Sequence, residues 1–454
     1  MAPQSRFENA RSFVKHFNLQ PVSRVSATYR RVFRREVVDV CILIFIADIV
    51  TGVPTPIFPL YATSLGASLG LLGVITAMLG LGRLVAALPI GMLSDRLDRK
   101  TVLVAGMVMF AVAFGAFSIV PSAEWLVVPR LLQAVAMVAT FPLGVAYIGD
   151  VVEPRDRGAA IGVYTAAMGS GFAVGPLLGS WVGASAGYPA AYLAGAVVAI
   201  AGAVFGAARL VRRKPQGPES PIGKRLVDLP ALRALAREPR MLGACVANIA
   251  MTLSMTGAIF TYFPVYARGI GISTVTIGTL FAWRALASAT GRIPMGAMSA
   301  RIPANWTLAG VLVVEAVVVL AIARTTSATV LGGLLILEGV LFGIFLVSGQ
   351  AAVASSSGPS NRGAAVGMFW MAGSIGELFG PIALGVVAQA AGLIAVFQSV
   401  AGGVAVGAAL VAGLAWVGRR TAKDSRQDAG VDVASGDDAH HAAVASEPLQ
   451  AGRH

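Results

Sequence analysis

Arg157-Gly158-Ala159-Ala160-Ile161-Gly162, followed by Gly171, Gly175 and Pro176, returns later in the chain as Arg362-Gly363-Ala364-Ala365-Val366-Gly367, followed by Gly376, Gly380 and Pro381. The offset is 362 − 157 = 205 residues. It also carries Phe58-Pro59-Leu60-Tyr61-Ala62 onto Phe263-Pro264-Val265-Tyr266-Ala267, Gly73 and Ala77 onto Gly278 and Ala282, and Pro89, Gly91, Ser94 and Arg96 onto Pro294, Gly296, Ser299 and Arg301. A register kept without a gap from Phe58 to Pro176 marks a duplicated unit. In a membrane chain, a duplicated half is the pattern of a transporter whose substrate site lies between two pseudo-symmetric bundles and opens alternately to each side.

Composition places the chain in lipid. Of 454 residues, 56% are hydrophobic and only 13% charged, against roughly 25% charged in a soluble domain, and mean hydropathy is +0.76. Apolar stretches of about 20 residues, long enough to cross a hydrocarbon core of about 30 Å as helices, fall at 38–60, 68–92, 101–120, 125–149, 158–183, 189–210, 241–265, 273–298, 305–323, 328–350, 363–389 and 393–417. The expected fold is an all-α membrane protein of twelve transmembrane helices, six in each pseudo-symmetric bundle.

A net charge of +13 does not make a nucleic-acid surface, because the basic residues sit in alternate loops. Arg6, Arg11, Lys15, Arg24, Arg30, Arg31, Arg34 and Arg35 lie before the first span, and Arg212, Arg213, Lys214, Lys224, Arg225, Arg233, Arg237 and Arg240 lie in the middle. The intervening loops hold little beyond Arg268 and Arg324. The positive-inside rule then puts both termini and the central loop in the cytoplasm. The organisation is a basic arm (1–36), a six-helix bundle (37–211), a central loop (212–240), a second bundle (241–417) and a disordered tail (418–454). The location is the plasma membrane, the inner membrane in a bacterium. No cleavable signal is visible, and the first apolar run reads as a retained helix. Cys41 and Cys245 lie inside spans with no ligand-spaced partner, so neither a disulfide, a metal site nor a cofactor is expected.

Gly91-Met92-Leu93-Ser94-Asp95-Arg96-Leu97-Asp98-Arg99-Lys100 resembles motif A of the major facilitator superfamily. Gly91 suits close helix approach, and Asp95 is placed to cap a neighbouring helix N-terminus. The resemblance implies that Asp95 meets the start of span 11 near Asn361 and Arg362, and that Arg96 or Arg99 pairs with Asp150, closing a cytoplasmic gate. Asp98 replaces the usual glycine, and the second copy has lost the acid. Arg130-Leu131-Leu132-Gln133-Ala134 resembles motif B, which implies a place for Arg130 in proton coupling; an arginine snorkelling to the outer interface is the alternative. Gly162, Gly171, Gly175, Pro176 and Gly179 resemble motif C, associated with drug:proton antiporters, with Ser180 where the family has glycine. Glycines about four residues apart make a smooth helix face, which Pro176 bends.

Charges inside spans supply the coupling candidates. Asp48 leads, because it precedes Gly52, Pro54 and Pro56, which suit a helix bending around a cavity; a fixed pair with Arg83 is the competing role. Glu338 stands at 133 + 205, the repeat position of Gln133. Glu377, between Gly376 and Gly380, serves either transport or a helix interface. Glu315 is a weaker candidate. Arg83 either binds an anionic substrate or neutralises Asp48; Arg284 and Arg292, eight residues apart on one helix face, would suggest an anionic substrate if both faced the cavity, the alternative being that Arg292 snorkels to the cytoplasm. Asn248, Met251 and Met255 in span 7, with Thr252, Ser254, Thr256 and Tyr262, offer an adaptable neutral lining.

No nucleophile–base set or phosphate loop appears, so an enzyme is not expected. The expectation is a proton-coupled exporter of drugs or small hydrophobic metabolites, working by alternating access as a monomer, with a small-molecule substrate, protons and the lipid bilayer as partners. The alternative is proton-coupled uptake of a sugar or organic acid.

Overall fold

In the computed structural model the described residues are 32–444, apart from 154, 213–232, 234, 299–301 and 359–360. The arm before Val32, most of the central loop and the repeat positions Ser299 and Arg301 lie outside them. Among the described residues the secondary structure is helical, with no strand. In chain order the helices are α1 (Arg35–Gly52), α2 (Pro54–Ser64), α3 (Leu69–Arg96), α4 (Arg99–Ser118), α5 (Val127–Val151), α6 (Arg157–Ala186) and α7 (Tyr188–Arg209). Then come α8 (Pro239–Thr252), a π-helical segment (Leu253–Tyr262), α9 (Phe263–Gly269), α10 (Thr274–Met298), α11 (Ala304–Ile322), α12 (Ala328–Ser355) and α13 (Arg362–Val444).

Where the sequence predicts twelve spans, ten helices among the described residues are long and apolar enough to cross a membrane by length and composition. One of the ten, Ala364–Arg420, breaks at Gly392, where φ is 83°, so two successive spans share one continuous run. The predicted eighth span corresponds to α10, a 25-residue helix carrying Arg284 and Arg292 that is not among the ten.

The duplication is written in the backbone. Among the described residues, the glycines with φ in the left-handed region are Gly66 (86°), Gly187 (87°), Gly271 (90°) and Gly392 (83°). They form two pairs at the repeat offset, 271 − 66 and 392 − 187. Each ends or interrupts a helix with a conformation that a side chain would strain.

The chain packs as two compact units, one of Met1–Gly223 with Phe260–Ala289, the other of Lys224–Ile259 with Thr290–His454. In the first, Phe117 stacks on Tyr192 with centroids 4.6 Å apart and meets Phe58 and Phe114 edge-on at 6.1 Å. Aromatic pairs of this kind contribute about 1 kcal/mol each beyond their area. Asp39 is buried at the base of α1 and takes Arg209 Nη2 at 3.2 Å, tying α1 to the end of α7.

Both units contain a glycine-faced helix pair. In the first, α6 lies on α1 and α2: a Cβ at Gly171 would strike Phe45 O and lie 3.2 Å from Ile49 N, and one at Gly175 would lie 2.6 Å from Gly52 Cα. In the second, α13 lies on α8: a Cβ at Gly376 would lie 2.6 Å from Ile249 O and 3.2 Å from Leu253 N. Gly171 and Gly376 are 205 apart, but their contacts Phe45 and Ile249, or Ile49 and Leu253, are 204 apart. Cys41 and Cys245 also differ by 204. Past this point the register returns to 205, since Gly52 faces Gly175 as Gly257 faces Gly380. The second copy therefore holds one extra residue between Leu253 and Gly257, inside the π-helical segment, where wider turns absorb it.

Candidate functional site

At the α3–α4 junction, Arg99 and not Arg96 reaches Asp150. Arg99 Nε donates to Asp150 Oδ2 at 3.1 Å, and its Nη1 to Ser94 O at 3.1 Å and Ser94 Oγ at 3.3 Å. The Arg99 and Asp150 side chains are 12% and 11% exposed, so water screens the pair little. Arg96 is exposed. Asp98 is the N-cap of α4: Thr101 N donates to Oδ1 at 3.0 Å and Thr101 Oγ1 to Oδ2 at 2.6 Å. Burial pushes this carboxyl up, but the Thr101 bonds and the nearby Arg212 bring it below its ordinary value. The side chain of Asp95 lies outside those described, as does its expected contact with the start of α13. Gly91 makes no close approach: a Cβ there would meet no described atom within 4 Å.

The second cluster is built by the α6 glycines. Because Gly171, Gly175 and Gly179 lack side chains, α6 settles onto the carbonyls of Phe45, Ile49 and Val53. This packing encloses Asp48, which is 7% exposed and whose Cβ lies 3.0 Å from the position of a Gly171 Cβ. Thr51 Oγ1 donates to Asp48 Oδ1 and Asp48 O, each at 3.0 Å. Gly162 takes no part in this face; a Cβ there would meet nothing within 4 Å. Pro176 closes on Gly52, and Ser180, the departure from the motif, is housed against Gly278.

Arg130 turns inward. It is 7% exposed, donates from Nη1 to Gln133 Oε1 at 3.0 Å and lies 3.9 Å over the Phe58 ring, an arrangement inconsistent with snorkelling to the interface. Arg284 is also buried, 4.9 Å over Phe260, in an aromatic group with Phe281 and Phe172. Gly82 packs on Leu131 and Ala134 of α5, with half-buried Arg83 next in sequence.

In the other unit Asn248 Nδ2 donates to Phe369 O at 2.7 Å, and Thr252 Oγ1 to Asn248 O at 2.7 Å and Gly373 O at 3.0 Å. Asn248 thus serves a helix contact, holding α8 against α13. Met251 and Glu338 are fully buried, while Met255 and Glu377 are half-buried. Ser254 Oγ donates to Glu315 Oε1 at 2.6 Å, with Glu315 wholly buried. Sequence reasoning ranked Glu315 low and missed Asp39; the signal for Asp39 was an acid four residues after Arg35, inside the first apolar run.

These contacts hold helices together and bury charge; they contain no arrangement for covalent chemistry. A family model described as Major Facilitator Superfamily matches residues 40–282 and 266–449. A 3-(3-hydroxy-phenyl)propionate transporter of Escherichia coli (strain K12) is 27% identical over 351 residues, 74% of this chain and 81% of that protein. Multidrug resistance protein 1 of Bacillus subtilis (strain 168) is 29% identical over 139 residues, 31% of this chain and 36% of that relative. A crystal structure of a mutant of the nucleoside transporter NupG superposes with a TM-score of 0.71 at 16% identity, covering 83% of this chain and 99% of that one.

Proposed function

This chain belongs to the Major Facilitator Superfamily and is a multi-pass membrane transporter, and we propose that it is a proton-coupled exporter of drugs or small hydrophobic metabolites, working by alternating access. The observation that carries the reading is the seating of Asp48 under the Gly171–Gly175–Gly179 face of α6. A carboxylate there places one negative charge in an interface made of backbone contacts. Taking a proton removes that charge and releasing it restores it, so the proton and the packing of α1 on α6 are linked in free energy. Arg130 with Gln133, and Glu338 at the equivalent repeat position, are the further coupling candidates, with Glu377 beside the second glycine face. Arg99–Asp150, with Asp95, forms the cytoplasmic latch. Arg83, Gln133, Asn248, Met251, Met255 and Arg284 are proposed to meet the substrate. The resemblance to a multidrug resistance protein supports export. The protein is placed in the plasma membrane with both termini cytoplasmic, acting as a monomer.

A second reading, proton-coupled uptake of an organic acid, is favoured by one observation. The relative aligned over the greater length transports an aromatic acid, and Arg284 here is buried among aromatic rings.

The test is transport in oriented proteoliposomes, with and without an imposed proton gradient, of a lipophilic cationic dye and of 3-(3-hydroxyphenyl)propionate. Gradient-driven dye movement lost in Asp48→Asn supports the exporter. Movement of the acid alone, lost in Arg284→Gln, transfers the assignment to the second reading.

A further inference from the structure

α4 and α7 pack side by side within the first unit, and a groove of about 650 Å³ runs along them. One wall is a single face of α4: Thr101, Val104, Ala105, Val108, Met109 and Val112 recur at the three- and four-residue spacing that keeps side chains in line. The other side is formed by Ala207, whose small side chain leaves the slot open, and Lys100 and Arg212 also line it. Both cations belong to the Thr101 end, Lys100 as the residue before the apolar face and Arg212 as a charge felt by Asp98.

Three properties select an occupant. Thr101 to Val112 is eleven helical steps, about 17 Å, close to one leaflet of a hydrocarbon core of about 30 Å. Val108 and Val112 are 48% and 53% exposed inside a helix apolar enough to span a membrane, so this face meets lipid. The two cations stand at one end only, where one acid, Asp98, is already engaged with Thr101. We propose that this groove is a binding site for an anionic phospholipid, its phosphate against Lys100 and Arg212 and one acyl chain along the α4 face. Basic pockets between transmembrane helices recognise anionic headgroups in this way. The headgroup would lie one residue from Arg99, so an occupied groove bears directly on the Arg99–Asp150 pair.

The test uses the purified full-length chain and two lipids of equal acyl length, phosphatidylglycerol and phosphatidylcholine, with retained lipid counted by native mass spectrometry. Wild type is expected to retain phosphatidylglycerol in preference. Lys100→Gln with Arg212→Gln should reduce its retention about thirtyfold, from about 1 kcal/mol per cation, to the level of phosphatidylcholine. Ala207→Phe, which fills the slot and leaves every charge in place, should reduce retention of both lipids. Equal retention of the two lipids by wild type, or undiminished phosphatidylglycerol in either variant, overturns the site. Because a variant can fail to fold, a photoactivatable phosphatidylglycerol is also cross-linked to wild type in proteoliposomes. Label concentrated on Val104 to Val112 is expected, and label spread evenly over the lipid-facing helices overturns the proposal.

Discussion

α6 on α1 and α13 on α8 are the same contact made twice, a glycine face laid on a helix backbone, yet the residue enclosed differs. Asp48 and Thr252 both sit under the first glycine of the face, Gly171 and Gly376. Thr252 spends its hydroxyl on Asn248 O and Gly373 O, so its polarity closes within the helix pair. Asp48 brings a charge. The rest of the repeat follows suit: at the offset of 205, Arg99 and Asp150 become Ala304 and Ser355, Arg130 becomes Leu335, and Asp98 becomes Pro303. In the other direction Glu338 stands where the first half has Gln133, Glu315 where it has Phe110, and Glu377 where it has Phe172. Duplication has kept the backbone contacts and made each of these charges private to one half. On the proposed function this matters, since two identical titrating sites would give the two helix pairs the same response to a proton.

The comparison breaks first on packing. Gly175→Ala sets a Cβ 2.6 Å from Gly52 Cα, a backbone atom that cannot swing away, while Gly380→Ala meets Leu253 Cα at 3.3 Å. The expected cost is about 3 kcal/mol for the first and under about 1 kcal/mol for the second, read as thermal unfolding in detergent. Equal costs would mean that the two glycine faces are equally tight at this second glycine as well as at Gly171 and Gly376.

A somewhat smaller effect is expected at the Arg99–Asp150 pair. Arg99→Ala leaves the largely buried Asp150 without its partner and should cost about 2 kcal/mol. Ala304→Gly at the equivalent position should cost about 1 kcal/mol or less, as a helix-propensity change alone. Substitution of Asp150 by Asn in the Arg99→Ala background should recover part of the loss, because the orphaned charge goes too. No recovery would show that Arg99 acts through its bonds to Ser94.

Much of this asymmetry was legible before the fold. The apolar runs, the repeat and the glycine spacing all leave marks in composition or period. Three things left none. The place of the extra residue in the second copy left none, because a π turn has no residue signature and the 204-residue spacing of Cys41 and Cys245 does not locate it; it is fixed when Gly376 is seen to face Ile249 and not Ala250, the residue 205 places after Phe45. The choice of Arg99 over Arg96 depends on the α3–α4 corner, where Arg96 ends one helix and Arg99 starts the next. Gly91 looked like a packing glycine by motif, but the space beside it is open. Which residues converge is set by helix phase across a contact, and a single chain read linearly does not carry it.

The chemical side of the comparison is sharpened by Asp48→Asn against Thr252→Val. The first should lower gradient-driven transport about tenfold, equivalent to about 1.4 kcal/mol, and leave substrate exchange without a gradient intact. The second should cost about 1 kcal/mol of stability through lost hydrogen bonds and keep its dependence on the gradient. Gradient dependence preserved in Asp48→Asn would move coupling to Arg130, Glu338 or Glu377.

The smallest contrast lies where α4 and α11 begin. Asp98 caps α4 through Thr101, whereas Pro303 precedes α11 with no side-chain cap. Asp98→Ala should cost about 1 kcal/mol. Its pH dependence has a fixed sign: the folded carboxyl titrates below its ordinary value, so its contribution is complete above the unfolded pKa of about 3.9 and is lost as pH falls through the lowered folded value. The difference in melting temperature between wild type and Asp98→Ala should therefore be constant from neutral pH down to about 5 and narrow below about 4. Pro303 has φ −60° and ψ 126°, extended values that an N-cap aspartate adopts without strain. Pro303→Asp should thus give the second half the cap it lacks, a gain of up to about 1 kcal/mol less whatever freedom the proline removed from the unfolded chain. A gain that disappears below about pH 4 would show that one carboxylate accounts for this difference between the halves; no gain at neutral pH would show that α11 has its first turn satisfied by other means.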